Sequence, residues 1–141
     1  YVISKRRTAF EKRFVWWIKD RLDVKKMKEA SKLFTGMQDF RNFSEKDKED
    51  NSTKCLVESL TITEDDMKIY IRIKASHFLW KMVRRIIGTL VEIGRGNINN
   101  ETIAELLLPL SSKEKGTGGE VFNPAEYTAP PSGLFLEKVE Y

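Results

Sequence analysis

The sequence has 141 residues, of which 40% are hydrophobic and 33% charged, which fits one globular domain and excludes a disordered tail. The net charge of +4 is mild, but Lys and Arg outnumber Asp and Glu by 15 to 9 in residues 1–54 and trail them by 10 to 12 in residues 55–141. A basic N-terminal half suits a polyanionic partner, although ordinary solvated lysines produce the same surplus.

The first 54 residues predict one strand, one helix and two loops. Residues 1–4 form a β-like run, and residues 10–18 hold a dense aromatic patch broken by Lys12 and Arg13. Such a patch can stack nucleobases and hold phosphates, but rings that simply pack on neighbouring elements give the same pattern. Asp23 is a good N-cap for a helix over residues 24–34. Residues 38–43 predict a short turn or helix, and the polar run 44–53 predicts a flexible loop.

Two strands and a long helix follow. Residues 56–63 and 67–75 predict a hairpin, and the second run alternates an apolar face with a face of Lys, Arg and Tyr. Residues 75–96 then repeat pairs of apolar side chains four apart, which predicts a buried central helix ended by Gly94 and Gly96. Three cations in its middle, Lys81, Arg84 and Arg85, argue against a membrane span.

The last third predicts a helix over residues 101–108, a flexible loop over residues 109–132 and a closing strand over residues 134–141. The order of these elements predicts an α+β domain with an antiparallel or mixed sheet and helices packed on one face. Residues 1–141 therefore form one domain. Because the chain starts without Met on a strand-like run and ends on another, we expect an excised part of a longer protein.

Several chemistries have no residues to support them. One cysteine and one histidine cannot form a Cys/His zinc site, and Cys55 alone excludes an internal disulfide and fits a reducing compartment. Neither a phosphate-binding glycine loop nor a signal peptide is visible. From the residues alone, the sequence predicts a basic α+β domain in which Arg84 is the least ordinary residue.

Four blocks form a recognisable pattern: Y-V-I at residues 1–3, F-x-G-x-x-D-F-x-x-F at 34–43, A-x-x-F-L-x-x-M-V-R-x-I-I-G-x-L-x-x-I-G-x-G at 75–96 and A-P-P-x-G-L-x-L-x-x-V-x-Y at 129–141. In this order they resemble the C-terminal half of the catalytic domain of TruA-type tRNA pseudouridine synthases. The resemblance implies a pseudouridine synthase-like half-domain of an isomerase that converts uridine in tRNA to pseudouridine with neither a cofactor nor a metal.

The resemblance also assigns roles to three residues. Arg84 falls on the arginine that pairs with the catalytic aspartate of the family, Tyr1 on a tyrosine that stacks on the flipped uracil, and Leu134 on an apolar residue of the uracil pocket. The aspartate itself lies in a Gly-Arg-Thr-Asp segment that this chain lacks. We therefore expect the chain to be inactive alone and to need the missing N-terminal half as its partner.

The sequence leaves further assignments open. Eight cations are candidate phosphate contacts that solvated surface roles would equally explain: Lys5, Arg6, Arg7, Lys68, Arg72, Lys74, Lys81 and Arg85. A non-catalytic RNA-binding module with the same fold is the alternative function, and an interaction domain without RNA is a weaker one. Homodimer formation stays open, no membrane association is expected, and the expected location is the cytoplasm, with nucleus or organelle as alternatives.

Overall fold

The computed structural model describes residues 1–9, 11–45, 52–108 and 122–138. Its centre is a five-stranded sheet in the order β2-β1-β5-β4-β3, in which β1 and β2 are parallel and all other neighbours are antiparallel. The strands are β1 (Val2–Ser4), β2 (Trp16–Trp17), β3 (Gly36–Asp39), β4 (Lys54–Glu64) and β5 (Lys68–Ala75). With helices over one face, this arrangement confirms the predicted α+β fold and mixed sheet.

The hairpin of β4 and β5 forms as its alternating pattern predicts. Ile69 and Ile71 are each 2% exposed and face the core, whereas Tyr70 and Arg72, which alternate with them, are exposed. Asp65 shapes the turn, because its Oδ1 accepts hydrogen bonds from the backbone N–H groups of Met67 and Lys68 at 2.8 and 2.7 Å. The hairpin therefore has one face for the helices and one that they leave open.

Two short helices cover the buried face where their caps predict. Helix α1 (Val24–Ser31) starts after Asp23, whose Oδ1 accepts from the N–H of Lys26 at 3.2 Å. It is shorter than predicted, because residues 32–34 continue as a 3₁₀ turn that places Phe34 in the core. Helix α3 (Asn100–Leu107) is capped by the side chain of Asn99 and buries Ile103, Leu106 and Leu107 as predicted.

The central helix begins seven residues later than predicted. Helix α2 (Met82–Arg95) follows Lys81, whose φ of 62° lies in the left-handed region, and residue 75 ends strand β5. Its buried stripe includes Met82, Ile86 and Leu90. Gly96 ends the helix with a φ of 82°, whereas Gly94 stays helical and packs against Met27.

Other predictions differ from the structure in detail. Of the turn or short helix predicted at residues 38–43, residues 41–43 form a 3₁₀ turn, whereas residues 38 and 39 belong to β3. The aromatic patch contributes β2, and residues 134–138 contain no strand although a closing strand was predicted at 134–141. The predicted flexible loops fall largely on residues 46–51 and 109–121, outside the described residues. The described part of the second loop forms two 3₁₀ turns with Pro124, Ala129 and Gly133 buried. Across the described ranges, no helix has the length and apolar character needed to cross a bilayer.

Candidate functional site

Arg84 lies in the first turn of α2 and is tied to the segment that follows residue 121. Its backbone carbonyl accepts from the N–H of Ala129 at 2.9 Å, and its Nε donates to the carbonyl of Ala129 at 2.7 Å. The two terminal guanidinium nitrogens have no hydrogen-bond or ion-pair partner among the residues that the structure describes. The guanidinium is thus fixed at one edge and free to meet an anion at the other.

Tyr1 lies beside this arginine and contacts the same segment. Its ring is 9% exposed and meets the ring of Trp16 edge to face, with 6.3 Å between ring centroids. Its hydroxyl donates to the carbonyl of Pro130, the residue after the one that holds Arg84. Burial raises the pKa of Tyr1, while the nearby charge of Arg84 acts to lower it. The phenol is therefore a neutral hydrogen-bond donor at physiological pH.

Gly133 and Leu134 complete the cluster. A Cβ on Gly133 would lie 2.6 Å from the carbonyl oxygen of Val2 and 2.7 Å from Cε1 of Tyr1, so only glycine fits against the ring. The next residue, Leu134, is 41% exposed. The structure thus brings the three residues predicted for catalysis and the uracil pocket, Arg84, Tyr1 and Leu134, to the segment of residues 129–134.

Glycine also sets the position of this segment on α2. A Cβ on Gly88, one turn after Arg84, would lie 1.5 Å from the carbonyl oxygen of Tyr127. Sequence reasoning missed Gly88 and Ala129 as determinants of the site. Both stand in the quoted motifs, but their contact joins residues about forty positions apart, and neither has a side chain with chemistry to draw attention.

Two acidic residues of the described chain, Asp39 and Glu92, are engaged away from Arg84. Asp39 accepts hydrogen bonds from the hydroxyl of Thr53 and from the N–H of Arg41, which marks it as structural. Glu92 is buried at the other end of α2, where its two carboxylate oxygens accept from Arg95 and Asn97 at 2.7 and 2.6 Å. In the described ranges, no three His, Cys, Asp or Glu side chains are placed to share a metal ion.

Most of the cations proposed as phosphate contacts are already paired. Five of the eight form ion pairs at 2.7 to 3.3 Å: Lys5–Glu64, Lys68–Glu11, Arg72–Glu137, Lys74–Glu58 and Lys81–Glu45. The basic face of β5 is therefore largely neutralised. Of the other three, Arg6 and Arg7 are exposed on the loop after β1, and Arg85 follows Arg84 with a buried Nε that has no partner in the described chain.

Replacing Tyr1 by phenylalanine tests the hydrogen bond to Pro130. We expect a loss of about 1 kcal/mol in the free energy of unfolding at neutral pH, because the carbonyl of Pro130 loses its donor. Because the folded pKa of Tyr1 is raised, its contribution is fully present below about pH 10 and declines as the pH rises further. Denaturant unfolding at pH 7 and pH 11 should show this alkaline decline in the wild type and less of it in Tyr1→Phe. Tyr127→Phe, at a half-exposed ring, is the control, and an unchanged alkaline decline in Tyr1→Phe would contradict the assignment.

Comparison with known proteins identifies the class of protein to which this sequence is similar. A family model described as tRNA pseudouridine synthase matches residues 30–141. The chain is 38% identical over 136 residues to tRNA pseudouridine synthase A 2 of Clostridium perfringens, covering 94% of this chain and 50% of that protein.

Two further relatives match with similar identity and over a similar share of their length. The chain is 38% identical to tRNA pseudouridine synthase A of Aquifex aeolicus, covering 96% of this chain and 51% of that protein. It is 37% identical to tRNA pseudouridine synthase A of Mesorhizobium japonicum, covering 100% of this chain and 54% of that protein. The chain thus spans about half the length of these relatives.

Proposed function

Because this chain belongs to the tRNA pseudouridine synthase family, we propose that it forms the C-terminal half of a catalytic domain that converts uridine in tRNA to pseudouridine. The reaction breaks the N-glycosidic bond of the uridine, turns the base and rejoins it to the ribose through C5. In this proposal the missing N-terminal half supplies the catalytic aspartate. The present half supplies the arginine that faces it and part of the uracil pocket.

The observation that carries the proposal is the way the side chain of Arg84 is held. Its Nε is held by the carbonyl of Ala129, and its terminal nitrogens have no partner in the described chain. A guanidinium fixed in this way is suited to bind a carboxylate with two parallel hydrogen bonds. Such a partner keeps a partly buried carboxylate ionised by lowering its pKa, as a nucleophile or base requires. The aspartate of the missing half is the partner that we propose.

In this proposal Leu134 gives the uracil pocket an exposed apolar side chain, and Tyr1, which is 9% exposed, forms a fixed and largely buried wall. The phenol ring is held by its hydroxyl bond to Pro130 and by Trp16, so its position is set before any base arrives. Leu134 is 41% exposed and remains available for an apolar contact with a base. Moving a uridine out of its stack costs a few kcal/mol of free energy. Contacts with a preformed aromatic and apolar pocket offset part of that cost.

The experiment that tests the proposal compares the full-length protein with the 141-residue chain on unmodified tRNA. We expect the full-length protein to form pseudouridine and the chain alone to form none, because the nucleophile is absent from it. Turnover by the chain alone would overturn the assignment of the catalytic aspartate to the missing half. Absence of turnover in the full-length protein, combined with salt-dependent tRNA binding, would instead favour the non-catalytic RNA-binding module.

The proposal places the enzyme in a reducing compartment, the cytoplasm. Cys55 is buried and has no disulfide partner, and its Sγ lies 3.8 Å from the sulfur of Met82. Burial raises the pKa of this thiol, which keeps it protonated and unreactive. A core thiol of this kind supports a proposal that needs no oxidising environment.

A further inference from the structure

Beside the proposed uracil pocket, two segments come together and leave aromatic rings at the surface. The hydroxyl of Ser132 donates to the carbonyl of Val15 at 3.0 Å, which ties residues 131–133 to the strand that begins at Trp16. Phe14, next to Val15, and Phe135, three residues after Ser132, stack with 6.3 Å between ring centroids and an interplanar angle of 21°. The Phe14–Phe135 pair is therefore held by the same segment that contains Leu134 and contacts Tyr1.

These rings are not part of the core. Phe14 is 54% exposed, Phe135 is 49% exposed, and Trp17 on β2 is 42% exposed. By contrast, the neighbouring Trp16 is half-buried against Tyr1. Packing thus explains Trp16, but it does not explain three large rings that keep about half of their surface in water next to a functional pocket.

The cations around these rings are available, unlike those on β5. Arg6, Arg7, Lys12 and Arg13 are exposed, and none forms an ion pair within the ranges that the structure describes. The guanidinium of Arg7 lies 5.9 Å from the centre of the Trp17 ring. Half-exposed aromatic rings interleaved with free cations are what proteins use to hold unpaired nucleotides, because the rings stack bases and the cations meet phosphates.

We propose that Trp17 and the Phe14–Phe135 pair form a stacking platform for the nucleotides adjacent to the reacting uridine of the tRNA, with Arg7 contacting their phosphates. This inference rests on the proposed function. A uridine turned out of its stack leaves its neighbours without a stacking partner. The platform borders the proposed pocket, because Trp17 follows Trp16, the ring that contacts Tyr1, and Phe135 follows Leu134. Successive strand residues face opposite sides of the sheet, so Trp17 lies on the face opposite Trp16, the open face that the helices do not cover.

The test uses the full-length protein and unmodified tRNA with the variants Trp17→Ala and Phe14→Ala. Each should weaken tRNA binding by about fivefold or more, and raise KM more than it lowers kcat, because a stacked base is lost before the chemical step. Met37→Ala is the matched control, since Met37 is 65% exposed on β3 at the opposite edge of the sheet. It should leave tRNA binding and activity unchanged.

Salt dependence tests the contribution of Arg7. Arg7→Gln should lower the slope of log affinity against log salt concentration by about one, as expected for one lost phosphate contact. Arg41→Gln removes an exposed arginine just after β3 and should leave the slope as it is. An unchanged slope in Arg7→Gln would remove Arg7 from the platform.

Two results would overturn the platform itself. One is unchanged tRNA affinity in both Trp17→Ala and Phe14→Ala while their thermal unfolding matches the wild type. The other is a change in the oligomeric state of these variants, measured by sedimentation, with unchanged tRNA affinity. That result would make this surface a protein interface. Failure of the proposed function can be told apart from failure of the platform. The first would appear as absent turnover in the wild type, whereas the second is measured by tRNA-binding titrations, which do not depend on turnover.

Discussion

Replacing Arg84 by alanine in the full-length protein is expected to lower kcat/KM for pseudouridine formation by about two to four orders of magnitude. Leaving a buried carboxylate without its cationic partner costs about 3–5 kcal/mol, and each 1.36 kcal/mol corresponds to a factor of ten. The fold should survive, because the side chain of Arg84 makes one hydrogen bond, to Ala129, within the described chain. Its loss should cost only about 1 kcal/mol of stability.

The pH profile separates a charge partner from a packing residue. In the wild type, Arg84 would hold the pKa of the facing carboxyl low, so the acidic limb of the kcat/KM profile lies at low pH. In Arg84→Ala that pKa rises and the acidic limb should move to higher pH. Arg84→Lys keeps the charge but loses the hydrogen bond from Nε and the paired donors, so we expect a smaller shift and an intermediate rate.

Arg41→Ala, at an exposed arginine after β3, provides the control for loss of one positive charge. It should leave both the rate and the pH profile unchanged. Full activity with an unmoved acidic limb in Arg84→Ala would place Arg84 outside the catalytic centre. A lower rate with an unmoved limb would make it a residue that positions the segment of residues 129–134.

Local patterns predicted the elements whose signals are local. The alternation of residues 67–75 predicted β5, and Asp23 predicted the start of α1, since caps and side-chain periodicity are properties of a few consecutive residues. The family resemblance assigned roles to Arg84 and Tyr1, and the structure places their side chains on adjacent carbonyls of one segment, which leaves the roles themselves as predictions.

Elements set by distant contacts were missed or misplaced. The period of α2 continues upstream through Phe78 and Leu79, yet Lys81 adopts a left-handed backbone and the helix starts after it. Partners far along the chain meet this turn: the N–H of Glu45 donates to the carbonyl of Trp80 at 3.1 Å, and its carboxylate pairs with Lys81 at 2.7 Å. In the same way, β2 exists because Trp16 and Trp17 pair with β1, a partner that no local pattern specifies.

Gly88→Ala is expected to destabilise the protein by about 2 kcal/mol or more and to lower activity strongly. The new Cβ would lie 1.5 Å from the carbonyl oxygen of Tyr127, a backbone atom that can move only if its segment moves. Overpacking of this kind costs about 1–3 kcal/mol and occasionally more, while the helix gains at most about 1 kcal/mol from alanine. The displaced segment holds both Arg84 and Tyr1 through the carbonyls of Ala129 and Pro130, so kcat should fall with stability.

Gly94→Ala separates this clash from the general effect of alanine in a helix. Gly94 lies on the same helix, and its added Cβ would lie 2.8 Å from the sulfur and 3.0 Å from Cγ of Met27, so a flexible side chain rather than a backbone carbonyl would have to shift. The gain in helix propensity is similar at both positions, so Gly94→Ala should stay within about 1 kcal/mol of the wild type and keep its activity. Thermal unfolding and turnover of the two variants decide the matter. Equal stability and full activity in both would mean that the segment of residues 122–130 does not need its close contact with α2 to hold Arg84.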